Sequence, residues 1–168
     1  MLNIVLYEPE IPQNTGNIMR TCMAFNMRLH LIEPLGFSFE DKYLKRSHMD
    51  YINDVDYQVY PDYDAFIKEN REGQFIYFSR YGMKNFNECV FDKDSDIYLL
   101  FGKESTGIPK EILRQHLEDT YRFPMRANAR SLNLSNCVAI ASYECLRQTG
   151  FDGLSDREVI KGADWLLK

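Results

Sequence analysis

The chain has 168 residues, of which 45% are hydrophobic and 27% charged, which is typical of one soluble globular domain with a full core. No apolar run approaches the ~18 residues of a membrane span, and the amino terminus lacks the features of a signal peptide. We therefore expect a single domain over residues 1–168, located in the cytoplasm without a membrane partner. The net charge of −5 argues mildly against a nucleic-acid partner, because phosphate binding depends on lysine and arginine.

Short apolar or aromatic segments alternate with helical segments along the chain. The predicted strands cover residues 3–7, 29–33, 57–60, 74–79, 97–101 and 120–123. The predicted helices cover residues 15–26, 41–47, 63–69, 110–116, 132–148 and 156–167, with Ser155 as a cap of the last. Continuous apolar strands are typical of sheets covered on both faces, so the alternation predicts an α/β fold with a mostly parallel sheet and helices on both faces. Ligands of such folds bind beyond the carboxyl ends of the strands, which directs attention to the loops there.

The four cysteines do not pair in sequence. Cys22, Cys89, Cys137 and Cys145 form no CxxC motif, and no histidine stands at ligand spacing from any of them. Reduced, buried thiols are the expected state. We predict neither a metal site nor a cysteine nucleophile.

The first strand is followed by a proline-containing loop and a polar helix start. Asn14 or Thr15 can cap this helix. A stripe of Ile18, Cys22 and Phe25 predicts its buried face, and at about 100° per residue Arg20 falls on the open face near the loop. Arg20 is either a functional cation or an ordinary solvated arginine.

The fifth predicted strand runs into a loop with two glycines five residues apart, Gly102 and Gly107. Glycines at this spacing permit a tight turn and a close backbone approach to a ligand. Ile108 and Pro109 stand where a P-loop requires Lys and Ser/Thr, so a nucleotide triphosphatase is disfavoured. No GxGxxG follows the first strand, which also disfavours an ordinary dinucleotide fold. A purely structural turn remains an alternative.

A cluster of small polar residues precedes the fifth predicted helix. Ser131, Asn133 and Ser135 alternate with leucines, and Asn136 follows. One cap cannot use all of these hydrogen-bonding groups, and the positive end of a helix dipole favours a polar ligand. The cluster is either a ligand site or an N-cap with surplus polar groups.

Charge is segregated along the chain. No acidic residue occurs between Asp119 and Glu144, whereas Arg122, Arg126 and Arg130 recur every four residues. Arg126 and Arg130 are therefore candidate contacts for nucleic-acid phosphates. A second basic cluster consists of Lys42, Lys45, Arg46 and His48.

Three segments together resemble the motifs of the SPOUT RNA 2′-O-methyltransferases. They are residues 14–20 (NTGNIMR), 101–109 (FGKESTGIP) and 131–136 (SLNLSN). The opening LYEPEIP and the compact length look most similar to the branch that methylates the wobble nucleotide of tRNA. The resemblance runs from Met1 to about Gly153, and three motifs in order at this spacing are specific to that family.

The resemblance implies an α/β knot, with a trefoil knot near the carboxyl terminus, that binds S-adenosylmethionine without a metal. The family's cofactor-binding positions correspond here to Phe78, Gly102, Phe123, Ser131 and Leu132. Its catalytic positions correspond to Asn14, Arg20, Glu104, Ser131 and Asn133. The segment Phe78-Ser79-Arg80-Tyr81 departs from the family, where threonine-rich sequence is common.

The implied reaction is methyl transfer to the 2′-oxygen of the wobble cytidine or uridine in a tRNA anticodon stem-loop. Because a guanidinium stays protonated at neutral pH, Arg20 is expected to clamp a phosphate and stabilise the developing alkoxide rather than act as the base. Asn133 and Ser131 would orient the hydroxyl, while Glu104 would hold the loop or pair with Arg20.

The small size of the chain suggests a homodimer in which Arg20 of one subunit serves the cofactor site of the other. Such an interface would use residues of the fifth predicted helix and of the carboxyl terminus, although both sets are equally compatible with an ordinary core. These residues are Ala139, Ser142, Trp165, Leu166 and Leu167.

The alternative functions are a 2′-O-methyltransferase acting on another tRNA or rRNA position, a non-catalytic RNA-binding module, and a phosphate-ligand hydrolase that uses the glycine loop. The hydrolase lacks a convincing pair of nucleophile and base.

Overall fold

A computed structural model of the chain describes residues 1–39 and 55–168. Its seven strands are β1 (Leu2–Tyr7), β2 (Arg28–Ile32), β3 (Tyr57–Tyr60), β4 (Gln74–Phe78), β5 (Lys84–Asn85), β6 (Ile97–Phe101) and β7 (Thr120–Arg122). They form one sheet in the order β3-β2-β1-β6-β4-β7-β5, and every pair of neighbours is parallel. The predicted α/β class with a parallel sheet is confirmed.

Four α-helices accompany these strands in the described ranges: α1 (Pro12–Ala24), α2 (Tyr63–Glu69), α3 (Lys110–Gln115) and α4 (Leu134–Thr149). Alternate strand residues face opposite sides, so Ile4 and Leu6 pack with α1 and α4, whereas Val5 packs with α2 and α3. Helices therefore cover both faces. The predicted helix 41–47 and the basic cluster of Lys42, Lys45, Arg46 and His48 lie outside the described residues.

Helix α1 begins earlier than predicted. Pro12 occupies its first turn, where the missing N–H costs nothing, and the N-cap residue Ile11 makes no side-chain cap. The prediction that Asn14 or Thr15 caps this helix is wrong, because both side chains are buried inside the first turns. Asn14 is thereby free for the contacts of the site described below.

The prediction of a helix over residues 156–167 is also wrong. Only a 3₁₀ turn, Trp165–Leu167, forms there, and Gly162 interrupts the segment with φ +88°. The apolar side chains of this segment stay exposed, and a helix that buries no face against the core gains little stability. Among the described residues, Ser155 bonds only to Arg157, in a local turn. Ser142 of α4, one of the residues considered for a dimer interface, is fully buried in the core of the chain, whereas Ile140 and Tyr143 of the same helix are about half exposed.

A buried histidine links three strands on the face covered by α2 and α3. The Nδ1 atom of His30 lies 2.9 Å from the Tyr60 hydroxyl, and its Nε2 atom lies 3.2 Å from Asn3 Oδ1. Asn3 Nδ2 donates to main-chain carbonyls, so Asn3 Oδ1 accepts from the ring and neutral His30 satisfies the network. Burial and the charge of Arg28 lower the pKa of His30 to about 4.

This lowered pKa predicts a loss of stability in acid. The unfolded chain binds a proton at His30 near pH 6.5, while the folded chain binds it only near pH 4, so stability falls as the pH drops between these values. The loss attributable to His30 is at most about 3 kcal/mol. Urea unfolding from pH 7 to pH 4 should show a weaker pH dependence in His30→Gln than in the wild type. An unchanged slope in His30→Gln would contradict the assignment.

Candidate functional site

The loops that follow β1, β4, β6 and β7 meet at the carboxyl edge of the sheet, because these strands lie side by side. They enclose an open cleft of about 780 Å³ that extends to the start of α4. All five predicted cofactor-binding residues line it: Phe78, Gly102, Phe123, Ser131 and Leu132. The tertiary adjacency that the sheet topology predicted is thus present.

A chain of polar side chains joins the three motif segments beside this cleft. Asn133 Nδ2 donates to Asn14 Oδ1 at 2.9 Å, and Asn14 Nδ2 donates to Glu104 Oε1 at 2.9 Å. The Glu104 carboxylate also accepts from the backbone N–H groups of Glu10 at 2.8 Å and Ile11 at 3.3 Å, just before α1 begins. Glu104 therefore fixes the entry to α1, and no ion pair between Glu104 and Arg20 occurs in residues 1–39 and 55–168.

Asn133 is the N-cap of α4 as well as a member of this chain. Its Oδ1 accepts from the backbone N–H groups of Ser135 and Asn136 and from the Ser135 hydroxyl at 2.6 Å. With Nδ2 bonded to Asn14, most of the bonding capacity of the Asn133 amide is already used. Asn133 and Asn14 thus hold loops in place, whereas Ser131 is exposed and has no hydrogen-bond partner in the described parts of the chain.

Two carboxylates of the loop after β1 also bond to the loop after β6. Glu8 pairs with Lys103 at 2.5 Å, and Glu10 accepts from both the backbone N–H and the hydroxyl of Ser105 at 2.8 Å. Burial opposes ionisation of Glu8, but hydrogen bonds from Lys103 and Tyr7 outweigh it and lower the pKa of Glu8. The hydrogen bonds from Ser105 lower the pKa of Glu10. Both carboxylates are therefore charged at neutral pH, and their bonds join the two loops into one unit.

Gly102 allows the loop after β6 to fold back upon itself. A Cβ atom at this position would lie 2.0 Å from the carbonyl carbon of Gly107 and 2.1 Å from the nitrogen of Ile108. Gly107 itself has φ +75° and donates its N–H to the Lys103 carbonyl at 2.8 Å. Glycine is thus required at both positions, for close approach at 102 and for backbone conformation at 107.

Aromatic rings form the floor of the cleft. Phe78 stacks on Phe101 at 4.6 Å and on Phe123 at 5.2 Å between ring centroids, with interplanar angles of 2° and 12°. Cys137 completes this apolar wall, and burial raises the pKa of its thiol to about 11, so it is not a nucleophile at neutral pH. Sequence reasoning missed Phe101 and Cys137 as lining residues, although Phe101 is the first residue of the second motif and Cys137 directly follows the third.

The cleft fits an adenosine-bearing sulfonium cofactor. The backbone N–H groups of Ser131, Leu132 and Asn133 bond to no other residue in the described ranges, so they are open to a ligand at the rim of an aromatic floor. Backbone groups and flat apolar walls are what a largely apolar cofactor site with a few polar contacts requires.

No group of three metal-ligating side chains occurs within residues 1–39 and 55–168. No helix in these ranges is long and apolar enough to cross a membrane.

The predicted arginines are divided between the cleft and the outer surface. Arg130 lines the cleft, whereas Arg126 lies exposed on the same loop outside its lining. Arg20 is exposed on α1, is absent from the cleft lining, and makes no ion pair within the described residues. Within one copy of the chain, Arg20 therefore does not line the cleft that the predicted cofactor residues form.

Comparison with known proteins agrees with this site. A protein of Saccharophagus degradans named tRNA (cytidine(34)-2′-O)-methyltransferase is 45% identical over 154 residues, covering 91% of this chain and 99% of its own. A structure solved to describe the 2-OH methylation of C/U34 on tRNA is 43% identical, with a TM-score of 0.82 over 88% of this chain and 95% of that one.

The fold also matches a more distant enzyme with a bound cofactor. The SpoU methyltransferase AviRb from Streptomyces viridochromogenes, solved with AdoMet, has a TM-score of 0.73 at 22% identity and covers 88% of this chain and 57% of its own. Residues 1–143 match the SpoU rRNA Methylase family. This match and the near-complete coverage of the relatives show that the chain belongs to the SpoU rRNA Methylase family and is a methyltransferase.

Proposed function

We propose that this chain methylates the 2′-oxygen of the first anticodon nucleotide, cytidine or uridine, of tRNA with S-adenosylmethionine as donor. The observation that carries the proposal is the cleft, in which three motif loops are bonded into one unit around open backbone N–H groups and an aromatic floor. The relatives named for this reaction at 43–45% identity support the same substrate. Residues 1–168 would act as one domain, and the trefoil knot stays a prediction.

The cofactor supplies an electrophilic methyl group when bound, and the residues of this chain would hold and orient the acceptor. Backbone groups of Gly102, Ser131 and Leu132, with the rings of Phe78 and Phe123, would bind the donor. The exposed Ser131 hydroxyl would orient the ribose hydroxyl. Asn14, Glu104 and Asn133 would keep the loops in register, since their side chains bond to one another. Precise alignment of acceptor and donor is the main requirement of an in-line displacement.

Arg20 would complete the site from a second subunit. Its guanidinium would bind a phosphate next to the target ribose and stabilise the developing alkoxide. The exposed position of Arg20, outside the cleft of its own chain, supports a homodimer in which each subunit supplies Arg20 to the other. The half-exposed Ile140 and Tyr143 of α4 offer apolar surface for such an interface.

The decisive experiment is incubation of the protein with labelled S-adenosylmethionine and total tRNA, followed by nucleoside mapping. We expect label at the 2′-oxygen of the first anticodon nucleotide and no transfer when that nucleotide is 2′-deoxy. Label on a base would contradict the reaction, label at another nucleotide would contradict the substrate, and RNA binding without transfer would indicate a non-catalytic binding module.

Arg126 and Arg130 are expected to contact RNA phosphates. Each neutralises about one phosphate, so Arg126→Ala/Arg130→Ala should flatten the plot of log K against log[salt] by ~1.4 for single-stranded contacts. The affinity of this variant for tRNA should fall to a similar extent for all tRNA sequences. Its affinity for S-adenosylhomocysteine should change little. The matched control is Lys93→Ala/Arg114→Ala, which removes two exposed cations away from the cleft. A wild-type slope in the first variant would show that both arginines are merely solvated.

A further inference from the structure

The loop after β4, residues 79–83, forms one rim of the cleft and is held in a tight turn. We name it the rim loop. The Ser79 hydroxyl accepts a hydrogen bond from the backbone N–H of Tyr81 at 3.2 Å. The Ser79 carbonyl accepts a second one from the backbone N–H of Gly82 at 3.1 Å. Gly82 presses against β7, since a Cβ atom there would lie 2.5 Å from the carbonyl carbon of Tyr121. The backbone of the rim loop is thus fixed relative to the sheet.

Tyr81 stands on this fixed turn with its ring in solvent. Its side chain is 77% exposed although it lines the cleft, and its hydroxyl has no hydrogen-bond partner in the described ranges. The neighbouring Arg80 also lines the cleft, and its guanidinium carbon lies 5.7 Å from the centroid of the Tyr81 ring. An aromatic ring that packs against no core residue contributes little to folding, so the exposed Tyr81 ring, with the Arg80 cation beside it, is available to a ligand.

The charges around the cleft complement a polyanion, although the chain carries a net charge of −5. Arg80 stands on one rim and Arg130 on another, and neither makes an ion pair within residues 1–39 and 55–168. The carboxylate of Glu104, in contrast, is saturated by backbone N–H groups and Asn14. A phosphate backbone entering the cleft would therefore meet unpaired cations and a free aromatic face together.

We propose that Tyr81, backed by Arg80, is a stacking platform for an unpaired RNA base next to the nucleotide whose ribose enters the cleft. The inference rests on the proposed function and adds a base-binding subsite to it. Proteins that bind single-stranded RNA stack unpaired bases on aromatic rings and arginine planes beside a basic path. The continuity of the rim loop with the cleft, its fixed backbone and the two unpaired arginines favour this occupant over a protein partner.

The test compares Tyr81→Ala with Tyr81→Phe, which keeps the ring and removes a hydroxyl that bonds to nothing described. The probe is an anticodon stem-loop RNA carrying fluorescent 2-aminopurine at one unpaired loop position at a time, with S-adenosylhomocysteine present. Wild type and Tyr81→Phe should quench one loop position, and Tyr81→Ala should lose this quenching and bind RNA about 5- to 150-fold more weakly. The salt slope and the affinity for S-adenosylhomocysteine should stay unchanged, since no phosphate or cofactor contact is removed.

The control is Val90→Ala, at an exposed apolar side chain near the amino end of β4, which should bind RNA as the wild type does. Wild-type affinity and quenching in Tyr81→Ala, with tRNA methylation intact, would overturn the platform and leave the proposed function standing. A wild-type protein that methylates no tRNA would overturn the proposed function instead. A changed oligomeric state of Tyr81→Ala in sedimentation would place the ring at a protein interface and also overturn the platform.

Discussion

Gly102→Ala should abolish detectable methyl transfer and lower the affinity for S-adenosylhomocysteine by about 100-fold or more, because the loop after β6 can no longer close. The added methyl would lie 2.0 Å from the carbonyl carbon of Gly107, so backbone and not a flexible side chain must move. That displacement would carry Glu104 away from the backbone N–H groups at the entry to α1. Calorimetric titration and the labelled tRNA assay measure the two losses.

The matched control for Gly102→Ala is Gly153→Ala. Gly153 has φ +80°, so alanine there is strained, but a Cβ atom would meet no atom of residues 1–39 and 55–168 within 4 Å. This variant should lose about 1 kcal/mol of stability and keep cofactor affinity and activity. Thermal unfolding of both variants separates a folding defect from a binding defect. Wild-type affinity in a folded Gly102→Ala protein would contradict the proposed role of the close approach.

Sequence patterns were sufficient for the fold class and for most of the strands and helices, but not for the strand order or the contacts within the site. Apolar runs such as residues 97–101 predict buried parallel strands, because a strand covered on both faces must be apolar throughout. Residues 156–167 show the limit of this reasoning, since a helical pattern without a surface to pack on does not become a helix. The two-residue β5 carries too little sequence to be predicted.

The functions of individual polar residues depended on contacts that no local pattern encodes. Asn14 looked like a cap of α1, yet it bonds to residues 90 and 119 positions away, Glu104 and Asn133. The same holds for Glu8 and Glu10, whose partners lie 95 positions along the chain. The motifs predicted which loops form the site, whereas the bonds between loops required the tertiary structure.

Arg20→Ala should lower the turnover of tRNA by about 100- to 1,000-fold while the affinity for S-adenosylhomocysteine stays within a few-fold of the wild type. Arg20 lies outside the cleft that contains the predicted cofactor residues, so its loss should spare cofactor binding and remove an interaction with RNA. Arg20→Lys keeps the charge but not the bidentate geometry and should recover only a small part of the turnover. Arg114→Ala, at an exposed arginine of α3, is the control. A large loss of cofactor affinity in Arg20→Ala would assign Arg20 to cofactor binding or to the fold.

Mixing two inactive variants tests whether Arg20 acts across a dimer. Ser131→Trp should fill the cleft at an exposed position and leave the fold intact, while its Arg20 remains available. When equal amounts of Arg20→Ala and Ser131→Trp are allowed to exchange subunits, half of the dimers become mixed, and each mixed dimer combines one intact cleft with one intact Arg20. If Arg20 acts on the partner's cleft, the mixture should regain about a quarter of wild-type activity, since the two-fold symmetry pairs each arginine with the opposite cleft. If Arg20 served the cleft of its own chain, no mixed dimer would contain a complete site, and the mixture would stay inactive after exchange.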